Sequence, residues 1–317
     1  MISMKDIKRA QQEIEKYIHK TPILTSSHLN KLSGNTVYLK AEHMQKTGSF
    51  KIRGATNKVQ HAVGNGAKYI TAASSGNHGQ AVAYISNLLG VPATIVVPED
   101  ASAAKIAAIQ SYNGKVVMCG TTSAERIPKA VELAMDNNGI YIPPYDDPYI
   151  IAGQGTIGLE ILDQVLDVDV IVVPVGGGGL ISGILTAVKE TNPHVKVIGV
   201  EPDTANDTFI SLEKGVITAI PPTKTIADGL RTSQPGKLTF PIVSAYIDEL
   251  VLVSEDEIKV AFQFLLERTK QLVEPSSAVT VAAILSGKLN VKDKNIVAIL
   301  SGGNIDLHEV NRFLPEH

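Results

Sequence analysis

Residues 168–175 form a nearly all-apolar run rich in Val and Ile, and this run leads directly into the four glycines at 176–179. Such a run is typical of a strand buried on both faces, as in a parallel sheet that helices cover on each side. Neighbouring parallel strands need long crossover connections, which are usually helices. The run therefore predicts an α/β fold.

Strand-like and helical stretches alternate along much of the remaining chain, which is the pattern of parallel sheets flanked by helices. The pattern predicts strands at 37–41, 69–73, 93–97, 115–119, 196–200 and 295–300. It predicts helices at 3–18, 78–89, 103–111, 123–137, 157–165 and 254–270, and one more that opens at 274–275.

The segment PPYDDP at 143–148 interrupts this pattern most clearly. We interpret it as the return crossing from a small inserted lobe to the main one. Two lobes are predicted on this basis. Residues 1–63 and 147–317 form the large domain, and residues 64–146 form the small domain.

Composition excludes several classes of protein. With 317 residues, 44% of them hydrophobic and 19% charged, the chain is long enough to build two lobes around a sizeable core. Its net charge of −3 argues against nucleic-acid binding. No apolar run has transmembrane length and no signal sequence opens the chain, so we expect no membrane association. A single cysteine, Cys119, cannot form an internal disulfide and is expected to serve packing. We expect a cytoplasmic homodimer.

Lys51 lies in the segment KTGSFKIRGA at 46–55, where a helix is expected to begin. It follows Phe50 and has small residues around it, which is a poor place for a hydrated charge. Burial disfavours the ammonium form and lowers the pKa of a lysine, as a Schiff-base lysine requires. The alternative interpretation is an ordinary surface lysine.

Two loops of small residues, SSGNHG at 74–79 and the glycines at 176–179, each follow a strand-like run and precede a helical pattern. A loop of this kind presents free backbone N–H groups at a helix N-terminus, where anions bind. One amine and two anion sites match the needs of pyridoxal phosphate and an amino-acid carboxylate. Either loop could instead be a flexible turn.

Four stretches in this order resemble the motifs of the serine/threonine dehydratase and serine racemase family of pyridoxal-phosphate enzymes. They are KTGSFKIRGA at 46–55, SSGNHGQ at 74–80, GGGG at 176–179 and SGGN at 301–304. The resemblance runs nearly end to end and is strongest to the branch of serine racemases and hydroxyaspartate dehydratases. It implies the tryptophan-synthase-β fold, with pyridoxal phosphate bound by the large domain in the cleft between two lobes.

The resemblance also implies roles for individual residues. Lys51 would form the Schiff base with the cofactor and later remove the α-proton of the substrate. Ser301 would face the pyridine nitrogen, where a hydroxyl leaves the ring a weaker electron sink than a carboxylate would. The remaining cofactor-binding residues implied are Phe50, Asn77, Gly176, Gly177, Gly178 and Gly179.

The loop at 74–79 would bind the substrate carboxylate through Ser74, Ser75, Asn77 and His78. Ser75 is the informative position, because ordinary threonine dehydratases resemble Ser-Ala-Gly-Asn here and racemases Ser-Ser-Gly-Asn. A hydroxyl at Ser75 would lie on the cofactor face opposite Lys51 and provide a second acid/base group.

Residues 201–207 (EPDTAND) read alone as a polar loop after a strand. In the racemase-like branch, a divalent metal is held here by Glu, an Ala carbonyl, Asp and water. Glu201, Ala205 and Asp207 fall at those positions, and oxygen ligands suit Mg²⁺, Ca²⁺ or Mn²⁺. Arg126 matches an arginine near the substrate entrance of racemases. Pro143 and Tyr145 differ from the His and Asn of mammalian racemases.

The expected reaction is β-elimination of water from small β-hydroxy amino acids such as L-serine and L-threonine, giving a 2-oxo acid and ammonia. Serine racemisation is expected as a second activity. The alternatives are a threo-3-hydroxyaspartate ammonia-lyase and a plain catabolic threonine ammonia-lyase. Ser74, Ser75 and the acidic loop at Glu201 argue against a sulfur-transfer relative such as cysteine synthase. Lys51 argues against a non-enzymatic binding protein, which would be expected to have lost it.

Overall fold

The computed structural model describes residues 1–316 and contains two sheets. The larger sheet has, in spatial order, β1 (Ile23–Thr25), β2 (Thr36–Ala41), β10 (Asn295–Leu300), β7 (Val170–Pro174), β8 (Lys196–Pro202) and β9 (Glu249–Val253). The smaller sheet has β5 (Lys115–Met118), β4 (Ala93–Val97), β3 (Ile70–Ala73) and β6 (Ile140–Tyr141). All strand pairs are parallel except β1 with β2, which confirms the α/β class.

Helices cover both sheets. The α-helices are α1 (Met4–Ile14), α2 (Ser27–Ser33), α3 (Lys51–Gly64), α4 (Asn77–Leu88), α5 (Ala103–Ser111), α6 (Ser123–Asp136), α7 (Pro148–Gln164), α8 (Gly179–Thr191), α9 (Asp207–Lys214), α10 (Thr239–Tyr246), α11 (Glu255–Phe264) and α12 (Pro275–Leu285). A π-helix extends α11 over Leu265–Thr269, and short 3₁₀ helices span Glu15–Tyr17, Glu42–Met44, Asp228–Leu230 and Leu307–Phe313.

The core has three buried apolar clusters. Two of them contain side chains from strands of the larger sheet, one cluster on each face, and the third surrounds the smaller sheet. Strand β7 is buried throughout, as its composition predicts. The smaller sheet is built from residues 70–141. The predicted domain limits at 63/64 and 146/147 stay a prediction.

The prediction for α7 was wrong at its start. The helix begins at Pro148 instead of 157, with the Asp147 side chain accepting hydrogen bonds from the N–H groups of Tyr149 and Ile150. Glycines hid its first half, because they weaken a helical pattern. Gly153 is needed for close packing, since a Cβ there would lie 2.6 Å from the Cα of Gly54 in α3.

Three strands were missed. Strands β1 and β9 form the edges of the larger sheet and the two-residue strand β6 forms one edge of the smaller sheet, and none of them carries a strong period-two pattern in the sequence. The helix predicted at 3–18 ends at Ile14 and continues as a 3₁₀ turn. The helix predicted at 254–270 becomes a π-helix after Phe264.

The topology brings the motif loops together. In parallel α/β sheets, the loops after the carboxyl ends of the strands form the binding crevice. The glycine loop follows β7, and Ser301 follows the neighbouring strand β10. The lysine segment joins them, because the Phe50 N–H donates to the Ser301 carbonyl at 3.0 Å and Ser49 pairs with Gly302.

A buried network of charges holds the first turn of α3. Arg53, two residues beyond Lys51, donates from Nε to Glu42 at 2.8 Å and from Nη1 to Glu160 in α7 at 2.7 Å. Lys40 donates to Glu160 at 2.6 Å. Two cations and two anions balance, so these buried groups satisfy one another. The network fixes α3 against α7 and β2.

No helix within residues 1–316 is both long and apolar enough to cross a membrane.

Candidate active site

Lys51 is the first residue of α3, and its side chain reaches the segment that connects β6 to α7. Its Nζ donates a hydrogen bond to the Pro144 carbonyl at 2.8 Å and lies 5.2 Å from the centre of the Phe50 ring. Loss of hydration lowers the pKa of Lys51 to about 8, against a smaller opposing effect of the Glu274 carboxylate. A substantial fraction of the amine is therefore neutral near pH 8, as a nucleophile must be.

The side chains of His78 and Lys51 both donate hydrogen bonds to backbone carbonyls of the segment 142–144. The Nε2–H of His78 donates to the Ile142 carbonyl at 2.9 Å, an assignment that follows because a carbonyl only accepts. Burial, with Lys51 acting in the same direction, lowers the pKa of His78 to about 3, so the ring stays neutral. The other ring nitrogen can then only accept. A substrate carboxylate could therefore be bound here by the His78 backbone N–H but not by its imidazole.

Ser74, Ser75 and Asn77 lie between β3 and the start of α4 and are partly buried. The Ser74 hydroxyl accepts from the Gly76 N–H at 3.3 Å. Ser75 directly precedes Gly76, the N-cap residue of α4, so it lies at the positive end of that helix. The loop is placed as its sequence predicts, with free N–H groups at a helix N-terminus.

Asn77 contacts two residues from the C-terminal part of the chain. Its Nδ2 donates to both oxygens of Glu274 at 2.9 Å, and its Oδ1 accepts from Asn304 at 2.7 Å. Asn304 also donates to the Thr47 carbonyl at 2.8 Å. The second and fourth motifs are therefore joined by a hydrogen bond between side chains, and the fourth is joined to the lysine segment by a hydrogen bond from a side chain to the backbone.

Glu274 is a site residue that the sequence analysis missed. It is buried, and its pKa is raised to about 7 by loss of hydration together with the negative charge of Asp228. A Cβ on Gly302 would lie 3.0 Å from its carboxylate. In the sequence, Glu274 only suggests the start of α12. Its burial beside Asn77 depends on a contact across 197 residues.

The glycine loop connects β7 to α8, and each glycine excludes a side chain for a different reason. A Cβ on Gly177 would run into the Tyr145 ring, and one on Gly179 would lie 2.9 Å from the Tyr145 Cβ. Gly178 has a φ of +87°, in the left-handed region that favours glycine. A Cβ on Gly176 would lie 3.2 Å from the Cα of Leu230. The loop exposes backbone at the N-terminus of α8, which suits a phosphate dianion.

Ser301 is buried at the end of β10, with its hydroxyl 3.2 Å from that of Ser277. Ser277 donates to the Gly302 carbonyl at 2.6 Å and accepts from the Gly302 N–H at 2.7 Å. Since the Ser277 hydrogen is used there, the Ser301 hydroxyl is the donor in the contact between the two serines. Ser277 is a second residue that the sequence analysis did not single out.

Glu201, Ala205 and Asp207 are all buried and lie beside the glycine loop, because β8 neighbours β7. Glu201 accepts from the N–H groups of Thr208 at 3.0 Å and Phe209 at 2.9 Å, and Asp207 accepts from the Thr232 hydroxyl at 3.1 Å. Burial raises the pKa of Glu201 to about 8 and that of Asp207 to about 7.

Carboxylate and backbone carbonyl oxygens are hard donors of the kind that divalent cations prefer. Within residues 1–316, no cluster of three or more His, Cys, Asp or Glu side chains could hold a metal. Arg126, on α6, makes its side-chain hydrogen bond to Ser123 of the same helix at 3.3 Å.

The fold, the partly buried amine with its lowered pKa and the glycine loop at a helix N-terminus are typical of enzymes that use pyridoxal phosphate. The chain belongs to the family described as pyridoxal-phosphate dependent enzyme, whose sequence profile matches residues 14–302. Its fold is of the tryptophan-synthase-β type. The residues present fit the cofactor, because the Lys51 amine and the glycine loop both contact the segment 144–145: the amine donates to the Pro144 carbonyl, and Tyr145 packs against Gly177 and Gly179.

Individual relatives are similar over almost the whole of this chain. An L-threonine ammonia-lyase of Thermotoga maritima is 44% identical over 315 residues, which are 99% of this chain and 78% of the relative. A serine racemase of Dictyostelium discoideum is 46% identical over 321 residues, which are 99% of this chain and 98% of the relative. The structure of maize serine racemase superposes with a TM-score of 0.94 at 36% identity, covering 98% of this chain and 96% of the other.

Proposed function

We propose that this chain is a pyridoxal-phosphate-dependent ammonia-lyase for small β-hydroxy amino acids such as L-serine and L-threonine. The reaction removes the α-proton and the β-hydroxyl as water, and the enamine that results takes up water again to give a 2-oxo acid and ammonia. One observation carries the proposal. The Lys51 amine, with a pKa lowered to about 8, lies where the lysine segment, the Ser74 loop and the glycine loop meet.

Bound pyridoxal phosphate would withdraw electrons from the α-carbon of the substrate. Gly176–Gly179 would hold its phosphate, Ser301 would face its pyridine nitrogen, and Phe50 would line its pocket. Asn77 would hold the 3′-oxygen, with its own amide oriented by Glu274 and Asn304.

Lys51 would act as the base at the α-carbon. A pKa of about 8 makes it a far better proton acceptor near neutral pH than an ordinary lysine. The Pro144 carbonyl and the Glu274 carboxylate can stabilise the ammonium form that results. Ser74, Ser75, Asn77 and the His78 backbone N–H would hold the substrate carboxylate.

Serine racemisation is proposed as a second activity, because Ser75 supplies a hydroxyl to the substrate loop. Similarity to a named serine racemase and to a named threonine ammonia-lyase supports both activities equally. A threo-3-hydroxyaspartate ammonia-lyase and a plain catabolic threonine ammonia-lyase are the alternatives that the substrate test distinguishes.

We also propose a divalent-metal site formed by Glu201, the Ala205 carbonyl and Asp207. Mg²⁺ fits its all-oxygen donors, and Ca²⁺ or Mn²⁺ would fit as well. A homodimer, a cytoplasmic location and the domain limits 1–63 and 147–317 against 64–146 complete the proposal. Sedimentation velocity tests the dimer, and limited proteolysis tests the domain limits.

The function is tested by offering L-serine, L-threonine and threo-3-hydroxyaspartate separately to the purified, cofactor-loaded protein. Release of 2-oxo acid and formation of D-serine are measured together. We expect 2-oxo acid from L-serine or L-threonine, with a loss of several orders of magnitude in Lys51→Ala. Turnover of hydroxyaspartate alone, or unchanged turnover in Lys51→Ala, would contradict the proposal.

A further inference from the structure

Thr239 lies directly against the glycine loop, although the sequence analysis did not single it out. It is fully buried and is the first residue of α10. Its hydroxyl donates to the Gly177 carbonyl at 2.8 Å and accepts from the Gly236 N–H at 3.0 Å. A Cβ on Gly178 would lie 2.7 Å from the same hydroxyl oxygen. Thr239 therefore contacts the loop at both residues of one peptide unit.

This contact determines which way that peptide faces. Within residues 1–316 no peptide bond is cis, and in a trans peptide the C=O and the following N–H point in opposite directions. Since the Gly177 carbonyl points at Thr239, the Gly178 N–H points away from it. A peptide beside a left-handed glycine is free to rotate, because glycine adopts either sign of φ at little cost. The Thr239 hydroxyl opposes that rotation together with the Gly236 N–H, which donates to the same Gly177 carbonyl at the longer distance of 3.4 Å.

Thr239 is itself held in place from several sides. Its carbonyl accepts from the Ser182 hydroxyl in α8 at 3.2 Å. The turn before it is bound by Asp146, whose carboxylate accepts from the N–H groups of Lys237 at 3.0 Å and Leu238 at 2.8 Å. Asp146 follows Tyr145, which covers the other side of the glycine loop. The loop is therefore held between Thr239 and Tyr145.

We infer that Thr239 is a positioning residue for the phosphate of the cofactor. Its hydroxyl holds the Gly177–Gly178 peptide so that the Gly178 N–H faces the anion together with the first N–H groups of α8. The inference rests on the proposed function, since it assumes that this loop binds a phosphate. It assigns Thr239 no contact with the cofactor.

The test compares two ligands of the cofactor-free protein, pyridoxal phosphate and pyridoxal, which lacks the phosphate. Thr239→Val removes the hydroxyl and nearly keeps the shape. We expect the Kd for pyridoxal phosphate to rise about tenfold, the effect of losing roughly one hydrogen bond, and the Kd for pyridoxal to stay unchanged. Thr239→Ser, which keeps the hydroxyl, should bind both ligands as the wild type does.

Thr186→Val is the matched control. Thr186, in α8, is buried like Thr239, but its hydroxyl donates only to the Ser182 carbonyl, at 2.9 Å. This variant should leave both dissociation constants unchanged. If Thr239→Val does not fold, Thr239→Ala, which also lacks the hydroxyl, is measured in its place. Equal weakening of both ligands, or no weakening of pyridoxal phosphate, would overturn the inference. A wild type that binds both ligands equally would instead contradict the phosphate site itself.

Discussion

The pKa of Lys51 is unusually low for a lysine. Loss of hydration lowers its pKa from 10.5 to about 8. The unfolded chain therefore binds more protons than the folded chain between these two pH values, so the folded state gains stability as pH rises through that window. Below pH 8 the full cost of removing water from the Lys51 ammonium group opposes folding. For a partly exposed side chain it amounts to roughly 2 kcal/mol.

We predict that Lys51→Met stabilises the cofactor-free protein at pH 7 relative to the wild type, and that this advantage shrinks toward pH 10. The reason is that the substitution removes the cost of a poorly hydrated ammonium group. Urea unfolding at several pH values measures the difference. A difference that stays constant from pH 7 to pH 10 would show that the amine is well hydrated.

Ser75 separates the two proposed activities. Racemisation needs a proton removed from one face of the α-carbon and another delivered to the opposite face, whereas elimination can proceed from the Lys51 side alone. Ser75→Ala is predicted to abolish D-serine formation and to leave elimination from L-serine largely intact. Chiral analysis of the products alongside a 2-oxo acid assay measures both. Racemisation at the wild-type rate would reduce Ser75 to a substrate-loop residue.

At the scale of elements, packing of α7 against α3 holds the catalytic helix, and glycine makes this close approach possible. A Cβ on Gly153 would lie 2.6 Å from the Gly54 Cα and 2.7 Å from the Arg53 carbonyl oxygen. Both atoms belong to the backbone, which cannot move away from the new Cβ as a flexible side chain could. Gly64, at the last turn of α3, provides a contrast, because a Cβ there would meet no atom within 4 Å.

Gly153→Ala is predicted to destabilise the protein by about 1–3 kcal/mol or more, because it forces α3 and α7 apart. Gly64→Ala should be neutral or stabilising by up to about 1 kcal/mol, since alanine is the better helix former. Chemical denaturation of the two variants gives the comparison. Similar free energies of unfolding would mean that α3 and α7 are not packed this closely.

At the scale of the whole molecule, the proposed metal site at Glu201, Ala205 and Asp207 connects the larger sheet to the glycine loop. Asp207 accepts from Thr232, and the chain from Thr232 leads to Gly236 and Thr239 beside the loop. A cation bound there should stabilise the folded state, because a ligand that binds only the folded form raises its stability by mass action.

We predict that chelation lowers the Tm and that Mg²⁺, Mn²⁺ or Ca²⁺ restores it. Asp207→Asn should abolish the response, and Asp203→Asn, which changes an exposed carboxylate in the same segment, should not. Thermal melting with and without the cation decides this. If complete removal of the metal leaves the wild-type Tm unchanged, the site is ruled out.

Local patterns were enough to predict most of the alternating elements, because these depend on neighbours in the sequence. The roles of Lys51 and the loop glycines come from the family resemblance and stay predictions. Other features depend on contacts between distant segments. Glu274 looks like a helix start until Asn77 is beside it, and Thr239 gains its importance only from Gly177. The start of α7 was hidden because Gly153 serves packing, at the expense of helical pattern. Edge strand β9 was missed because its period-two pattern is weak, and no contact between distant segments explains the miss.

The central claim is that Lys51 is the amine that binds the cofactor. Borohydride reduction of the protein loaded with pyridoxal phosphate, followed by peptide mapping, tests it directly, because reduction makes the lysine–cofactor bond permanent. The label should be found on Lys51 alone, and Lys51→Ala should take up no label. A stable label on any other lysine would contradict the account.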